Sequence, residues 1–214
     1  MLLLKFDLHV HTVRSPDAHT KIEDLPSIIK AKGLDGIAVT EHDNFDPPSF
    51  SEVIILPGIE VSSRDGHVIG LGVREKIPSL LSADETIERI HQQGGVAIIP
   101  HPYDPVCKCV KIGRLKVRPD AVEVTNADVL SFHISRWLAK RDAYRFKLPQ
   151  VAGSDSHIPQ TIGDSYTIVQ SATRNAQDII GAVRAGSVQP QGHATSVTNK
   201  LRKLRYKLAQ EPSS

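Results

Sequence analysis

The chain alternates short apolar runs with amphipathic segments, and this pattern predicts a succession of strands and helices. Apolar runs of about four to eight residues predict buried strands, whereas apolar positions that recur every three or four residues predict helices. Strands are predicted over residues 2–8, 36–40, 53–56 (continuing over 59–62), 67–73, 96–99, 121–124, 150–152 and 166–169. Helices are predicted over residues 22–32, 83–93, 131–146 and 176–185. Ser82 and Glu85 form a capping-box pattern at the start of the second helix.

This alternation is typical of the α/β class and predicts a mostly parallel sheet. Most of the predicted strands are apolar at consecutive positions, as expected for strands that are covered on both faces. About seven strand–helix units fit the chain, fewer than the eight units of the usual barrel of about 250 residues. We therefore expect a closed or nearly closed β/α barrel with fewer than eight strands. A flat, doubly wound sheet is the alternative.

Composition limits the number of domains, the kinds of partner and the cellular compartment that the sequence suggests. A length of 214 residues fits one domain, and a formal net charge of +2 does not require a nucleic-acid partner. There is no run of about 18 apolar residues, so no membrane span is expected. The apolar opening segment is interpreted as the first strand. Two cysteines, Cys107 and Cys109, are a poor disulfide framework, which favours a reducing, cytoplasmic setting.

The last part of the chain differs in composition from the rest. We predict a barrel domain over residues 1–195 and a basic tail over residues 196–214. In this tail Leu201, Leu204 and Leu208 share one face of a predicted helix, with five cations around them. We expect this leucine stripe to pack on the barrel. Binding of the tail to nucleic acid or to an acidic lipid surface is the alternative.

Histidine is the compositional outlier, and six of the ten histidines lie in short clusters at the ends of apolar segments. His9 and His11 are two residues apart on a predicted strand and therefore point to the same face, and Asp155 and His157 have the same spacing. Neutral imidazole and carboxylate groups bind borderline divalent metals, and the carboxylate of Glu60 can bridge two of them. The nine candidate ligands are His9, His11, Asp17, His42, Glu60, His67, His101, Asp155 and His157. Nearly all of them follow strands, which favours a barrel with the ligands at the C-terminal ends of its strands.

The motifs DLHVHT (7–12), TEHD (40–43), PGIE (57–60), HP (101–102) and GSDSH (153–157) occur in this order. Together they resemble the polymerase and histidinol phosphatase (PHP) superfamily of metal-dependent phosphoesterases, over residues 7 to about 190. The resemblance implies a distorted seven-stranded (β/α)7 barrel whose metal site lies at the C-terminal ends of the strands. Two departures from the family pattern are an SPD segment that is one residue longer than usual and a short segment between His67 and His101.

The resemblance also implies how the ligands divide among two or three divalent ions, which the donor set admits as Zn, Mn or Fe. One ion would take His9, His11, Glu60 and Asp155; a second would share Glu60 and add His67 and His101; a third would take Asp17, His42 and His157. Asp7 would orient one of the ligand histidines through its other ring nitrogen. Glu60, Asp155 and His157 are the expected catalytic residues.

The expected activity is hydrolysis of phosphate esters by metal-activated hydroxide. Nucleotides, nucleoside bisphosphates or the ends of short oligonucleotides are the expected substrates, so the partner is a small phosphorylated molecule or a short nucleic acid. A histidinol-phosphate-type phosphatase and a non-catalytic barrel that binds nucleic acid or protein are the alternatives. Cations near the site are expected to bind the substrate, namely Arg14 and, in the loop after His101, Lys108, Lys111, Arg114, Lys116 and Arg118.

Overall fold

The computed structural model describes residues 1–210 and consists of nine strands and five α-helices in one chain. The strands are β1 (Leu2–Val10), β2 (Gly36–Val39), β3 (Ile54–Ser63), β4 (Gly66–Leu71), β5 (Val96–Ile99), β6 (Ala121–Asn126), β7 (Gln150–Gly153), β8 (Ser165–Ser171) and β9 (Val188–Gly192). The α-helices are α1 (Leu25–Ala31), α2 (Ala83–Gln92), α3 (Phe132–Arg145), α4 (Ala176–Arg184) and α5 (Val197–Gln210). Short 3-10 turns lie at Ile22–Asp24, Ile112–Arg114 and Pro159–Thr161.

All nine strands belong to one sheet with the order β7-β6-β5-β4-β3-β2-β1-β8-β9. The two edge strands β7 and β9 pack next to each other, so the sheet forms a nearly closed barrel. The α/β class and the nearly closed barrel expected from the sequence are therefore confirmed. The number of strands is nine in residues 1–210, and the prediction of seven is wrong.

The prediction of a mostly parallel sheet is also wrong. The pairs β1–β2, β2–β3, β5–β6 and β6–β7 are parallel, whereas β3–β4, β4–β5, β1–β8 and β8–β9 are antiparallel. β3 and β4 form a hairpin because only Arg64 and Asp65 separate them, and two residues are too few for a crossover between parallel strands. β9 escaped prediction because its sequence VQPQG is mostly polar; its Pro190 is tolerated on this edge strand.

The helices pack their apolar faces on the outside of the barrel. α2 buries Ile87 and Ile90, and α4 buries Ile179 and Val183 against the strands. β2 and β5 are buried at every position, as their uninterrupted apolar sequences predict. The capping box at the start of α2 is confirmed, since the Ser82 side chain accepts a hydrogen bond from the backbone N–H of Glu85 and the Glu85 carboxylate accepts one from the backbone N–H of Ser82.

The C-terminal helix α5 is attached to the barrel by polar contacts and not by an apolar face. Its leucine stripe does not pack on the barrel: Leu201, Leu204 and Leu208 are 55%, 51% and 59% exposed, so this prediction is wrong. Polar contacts hold the helix instead, because the ammonium groups of Lys200 and Lys203 bind the turn after β6. None of the helices within residues 1–210 is long and apolar enough to cross a membrane. Residues 211–214 of the predicted tail lie outside the described residues, and the boundary at residue 195 stays a prediction.

Candidate metal centre

The topology brings all nine candidate ligands to one end of the barrel. His9 and His11 lie at the end of β1, His42 follows β2, His101 follows β5, and Asp155 follows β7. His67 lies at the start of β4, which is the same end because β4 runs antiparallel to its neighbours. A side chain at Gly153 would block this arrangement, since a Cβ there would lie 2.4 Å from the Cβ of His9. The backbone N–H of Asp155 can therefore donate to the carbonyl oxygen of His9 at 2.9 Å.

Glu60 is at the centre of the cluster. Its Oε2 lies 3.3 Å from His9 Nε2, 3.3 Å from His11 Nε2 and 3.0 Å from His42 Nδ1. Its Oε1 lies 3.0 Å from His67 Nδ1 and 3.1 Å from His101 Nε2. Each carboxylate oxygen thus faces its own group of imidazole nitrogens, as required of a ligand shared between two cations.

Four ligand atoms have the spacing of a tetrahedral metal site. His9 Nε2 and His11 Nε2 lie 3.3 Å from Glu60 Oε2 and 3.4 and 3.3 Å from Asp155 Oδ1. A tetrahedral ion with bonds of about 2.0–2.1 Å separates its ligand atoms by about 3.3–3.4 Å. Both Nε2 atoms and Glu60 Oε2 are buried without a hydrogen-bond partner among the described residues. Buried polar atoms are rarely left unpaired, so the residues fit a bound divalent ion.

Hydrogen bonds fix the histidine tautomers that such an ion requires. His9 Nδ1 lies 3.1 Å from the carboxylate of Glu123, which can only accept, so Nδ1 carries a proton and Nε2 is the nitrogen left to bind an ion. Ser15 Oγ donates to Glu41 and therefore accepts from His11 Nδ1 at 3.3 Å. Both ligands are thus oriented by a carboxylate, directly or through a hydroxyl, as is usual for metal-binding histidines.

The role predicted for Asp7 is wrong. Its carboxylate does not contact a histidine ring but accepts the backbone N–H groups of His9, Ser154 and Gly163. Burial raises its pKa to about 7 against the effect of these hydrogen bonds. Glu123 orients His9 instead. Sequence reasoning missed Glu123, although a single acid inside the apolar strand AVEV was a signal that it needs a buried partner.

A third group of ligand atoms lies nearer to solvent. His11, His42 and His157 offer nitrogens that lie within 4.8 Å of one another. Asp17 joins them, with 3.3 Å between its Oδ2 and His157 Nε2 and 3.8 Å between its Oδ1 and His42 Nε2. Asp17 is 47% exposed, so this is the open side of the cluster.

Cys107 is a free thiol and lies beside two of the candidate ligands. Its Sγ lies 3.4 Å from His101 Nδ1, and His67, His101 and Cys107 form a further group of atoms with metal-ligand spacing. His101 and Asp155 both have positive φ, 30° and 55°, a conformation that non-glycine residues rarely adopt. Such backbone strain is concentrated at functional sites in proteins.

The charges of the cluster are mutually stabilising. Burial disfavours the charged form of His9, but the carboxylates of Asp155, Glu60 and Glu123 outweigh it and hold the pKa of His9 well above its usual value. Burial likewise opposes ionisation of Glu60 and Asp155, yet the surrounding imidazoles hold both pKa values well below the usual range. The two carboxylates therefore stay ionised, and the centre is built to hold positive charge.

Two of the cations predicted to bind substrate have partners of their own. Arg14 pairs with Asp46 at 2.7 Å, and the Lys108 ammonium donates to the carbonyl oxygen of Arg64. Lys108, Lys111 and Arg114 line a cavity of about 590 Å³ beside the loop after His101. None of the nine candidate ligands lines this cavity. Substrate binding by these residues stays a prediction.

Glu123 provides the first test of this geometry. Glu123→Gln places an amide where His9 Nδ1–H and the backbone N–H of His101 now find carboxylate oxygens. We expect the affinity for Zn²⁺ to fall about 10–100-fold, the usual cost of losing such a partner. Titration against a competing chelator measures it. Glu88→Gln, on the exposed face of α2, is the control, and equal affinities of the two variants would contradict the orienting role.

This chain is similar to known proteins. A family model described as PHP-associated matches residues 133–188. The uncharacterized protein MJ1587 of Methanocaldococcus jannaschii is 36% identical over 142 residues, covering 58% of this chain and 82% of MJ1587. A probable phosphatase of Shewanella frigidimarina is 26% identical over 203 residues, covering 74% of this chain and 79% of the relative.

Solved structures share the fold. PsfC from Pseudomonas syringae superposes with a TM-score of 0.76 at 20% identity, covering 98% of this chain and 99% of PsfC. An endonuclease Q, solved with a 27-mer duplex substrate that has an abasic lesion at the active site, gives a TM-score of 0.65 at 15% identity. That match covers 90% of this chain and 60% of the endonuclease. At such identities the likeness shows a common fold.

Proposed function

The chain belongs to the PHP superfamily of metal-dependent phosphoesterases, and on this basis we propose that it hydrolyses phosphate monoesters of nucleotides, nucleoside bisphosphates or short oligonucleotide ends. One observation carries the proposal: both oxygens of the buried Glu60 carboxylate face histidine nitrogens, five in all. This arrangement supports two ions that share Glu60 and a third beside Asp17.

The residues of the chain supply position and charge. Divalent ions held by them would lower the pKa of a bound water and neutralise the charge of the phosphate. Glu60 and Asp155 remain ionised in the buried part of the site and would hold the cations there. His157 donates from Nδ1 to the carbonyl oxygen of Asp155 at 2.9 Å, so its Nε2 lone pair faces the open side.

A monoester fits this site better than a diester. Its phosphate carries about two negative charges and three free oxygens, and the open side, where Asp17, His42 and His157 converge, can complete a third cation site for them. Short nucleic acids are included among the proposed substrates because the endonuclease Q that shares the fold was solved with a DNA duplex.

The test is a substrate panel. Purified protein is loaded separately with Zn²⁺, Mn²⁺ or Fe²⁺ and assayed with p-nitrophenyl phosphate, bis-p-nitrophenyl phosphate, nucleoside monophosphates and bisphosphates, histidinol phosphate, and 5′- and 3′-phosphorylated oligonucleotides. We expect hydrolysis of monoesters that depends on metal and exceeds that of the diester. A protein that binds metal but hydrolyses none of these substrates would support the alternative of a non-catalytic binding barrel. A preference for histidinol phosphate would support the alternative of a histidinol-phosphate-type phosphatase.

A further inference from the structure

The helix α5 is attached to the end of the barrel at which the metal centre lies. Lys203 Nζ lies 2.6 Å from the Asp128 carboxylate, and Lys200 Nζ donates to the carbonyl oxygens of Asp128 and Val129 at 2.9 and 3.2 Å. One turn after Lys203, the ring of Tyr206 stacks on His19 with 4.8 Å between the ring centroids. His19 is two residues from the candidate ligand Asp17, so the helix is attached at the rim of the site.

The way in which α5 is attached points to a role for its cations. An amphipathic helix is normally held by burial of its apolar face, but here the leucine stripe is more than half exposed. The side chains that do face the barrel are Lys200, Lys203 and Tyr206. The contacts of α5 therefore place the Lys203 ammonium, and not the leucine stripe, at the rim of the site.

Lys203 has donors left for a ligand. A lysine ammonium has three N–H groups, and in the part of the chain that the structure describes Nζ makes one hydrogen bond, to Asp128. Burial disfavours its charge, but Asp128, Asp155 and Asp17 outweigh this and raise its pKa. Asp128 lies two residues after Asn126, whose side-chain amide donates to Asp155 Oδ2 at 3.2 Å, so Lys203 is held close to the candidate ligands. The side chain is 30% exposed and remains accessible.

We propose that Lys203 binds a phosphate group of the substrate at the mouth of the metal centre, with α5 holding its ammonium in place. The inference rests on the proposed function, since it names a residue that recognises the phosphate in that same site. It adds Lys203 to the cations that the sequence led us to expect at the phosphate; of these, Arg14 is paired with Asp46 and Lys108 donates to the carbonyl oxygen of Arg64.

Three variants test the role of Lys203. Lys203→Met removes the charge and keeps the methylene stem, and Lys203→Arg restores the charge. Lys200→Met is the matched control, because Lys200 anchors the same turn of α5 to the same segment. Two quantities are measured on metal-loaded protein: kcat and KM for p-nitrophenyl phosphate, and the Kd of inorganic phosphate by calorimetry. Melting curves verify that each variant folds.

We expect Lys203→Met to raise both KM and the phosphate Kd about tenfold, the loss of one charged hydrogen bond at a partly exposed site, with little change in kcat. Lys203→Arg should recover most of the affinity, and Lys200→Met should bind phosphate like the wild type. Unchanged phosphate affinity in Lys203→Met would overturn the inference, as would an equal loss in Lys200→Met or a wild type that binds no phosphate. If the wild type binds phosphate but hydrolyses no ester, the proposed function fails, while the titration still decides the role of Lys203.

Discussion

Glu60→Ala should abolish hydrolysis and remove most of the bound metal. The variant loses the one carboxylate that faces His9 and His11 with one oxygen and His67 and His101 with the other. Two cation positions lose a ligand in a single substitution, so we expect kcat to fall at least about a thousandfold. Elemental analysis after purification without chelator should show a clear loss of metal, down to about one equivalent or less.

The matched control for this variant is Glu52→Gln. Glu52 lies two residues before β3, the strand that includes Glu60, and its side chain is exposed. It should retain wild-type activity and metal content. Glu60→Gln is a second variant that keeps the size of the side chain, so its loss of metal cannot be attributed to a cavity. If Glu60→Ala folds and keeps most of its kcat, the carboxylate does not bridge the cations.

The positions of the candidate ligands could be predicted because spacing along a strand fixes direction. His9 and His11 had to share a face if the strand predicted over residues 2–8 continues through them, and the sequence order of the motifs matched a known family. The convergence of these residues follows from strand ends that meet at one end of the barrel. His101 and Asp155 reach it with unusual backbone angles, which a sequence pattern does not reveal.

Other features depend on tertiary contacts that periodicity does not encode. The β3–β4 hairpin was available from the sequence, since predicted strands at 59–62 and 67–73 are too close for a crossover. The leucine stripe of α5 showed which face of the helix is apolar, but an amphipathic pattern does not tell what covers that face. The same holds for Lys203, whose position depends on Asp128, a residue 75 positions earlier in the chain.

Removal of metal should destabilise the wild-type protein markedly. A ligand that binds only the folded state stabilises it by about 4 kcal/mol at a free concentration of a thousand times its Kd. The unpaired buried atoms His9 Nε2, His11 Nε2 and Glu60 Oε2 add to the effect, because they lose their partner when a chelator removes the ion. We therefore expect the free energy of unfolding to fall by about 4 kcal/mol in excess chelator, and to recover when Zn²⁺ or Mn²⁺ is restored.

The stabilisation by metal should depend on pH and on Glu60, which makes this prediction specific to the proposed centre. The ligand imidazoles must be neutral to bind an ion, so the stabilisation by metal should shrink as the pH falls and protons compete for the same nitrogens. In Glu60→Ala the difference between metal-loaded and chelated protein should shrink to less than about half of the wild-type value, because two positions have lost their shared ligand. Urea unfolding curves with and without chelator measure both effects. If the wild-type unfolding curves with and without chelator coincide at neutral pH, these buried nitrogens and oxygens do not bind an ion. An ion that binds only the folded protein must raise its free energy of unfolding.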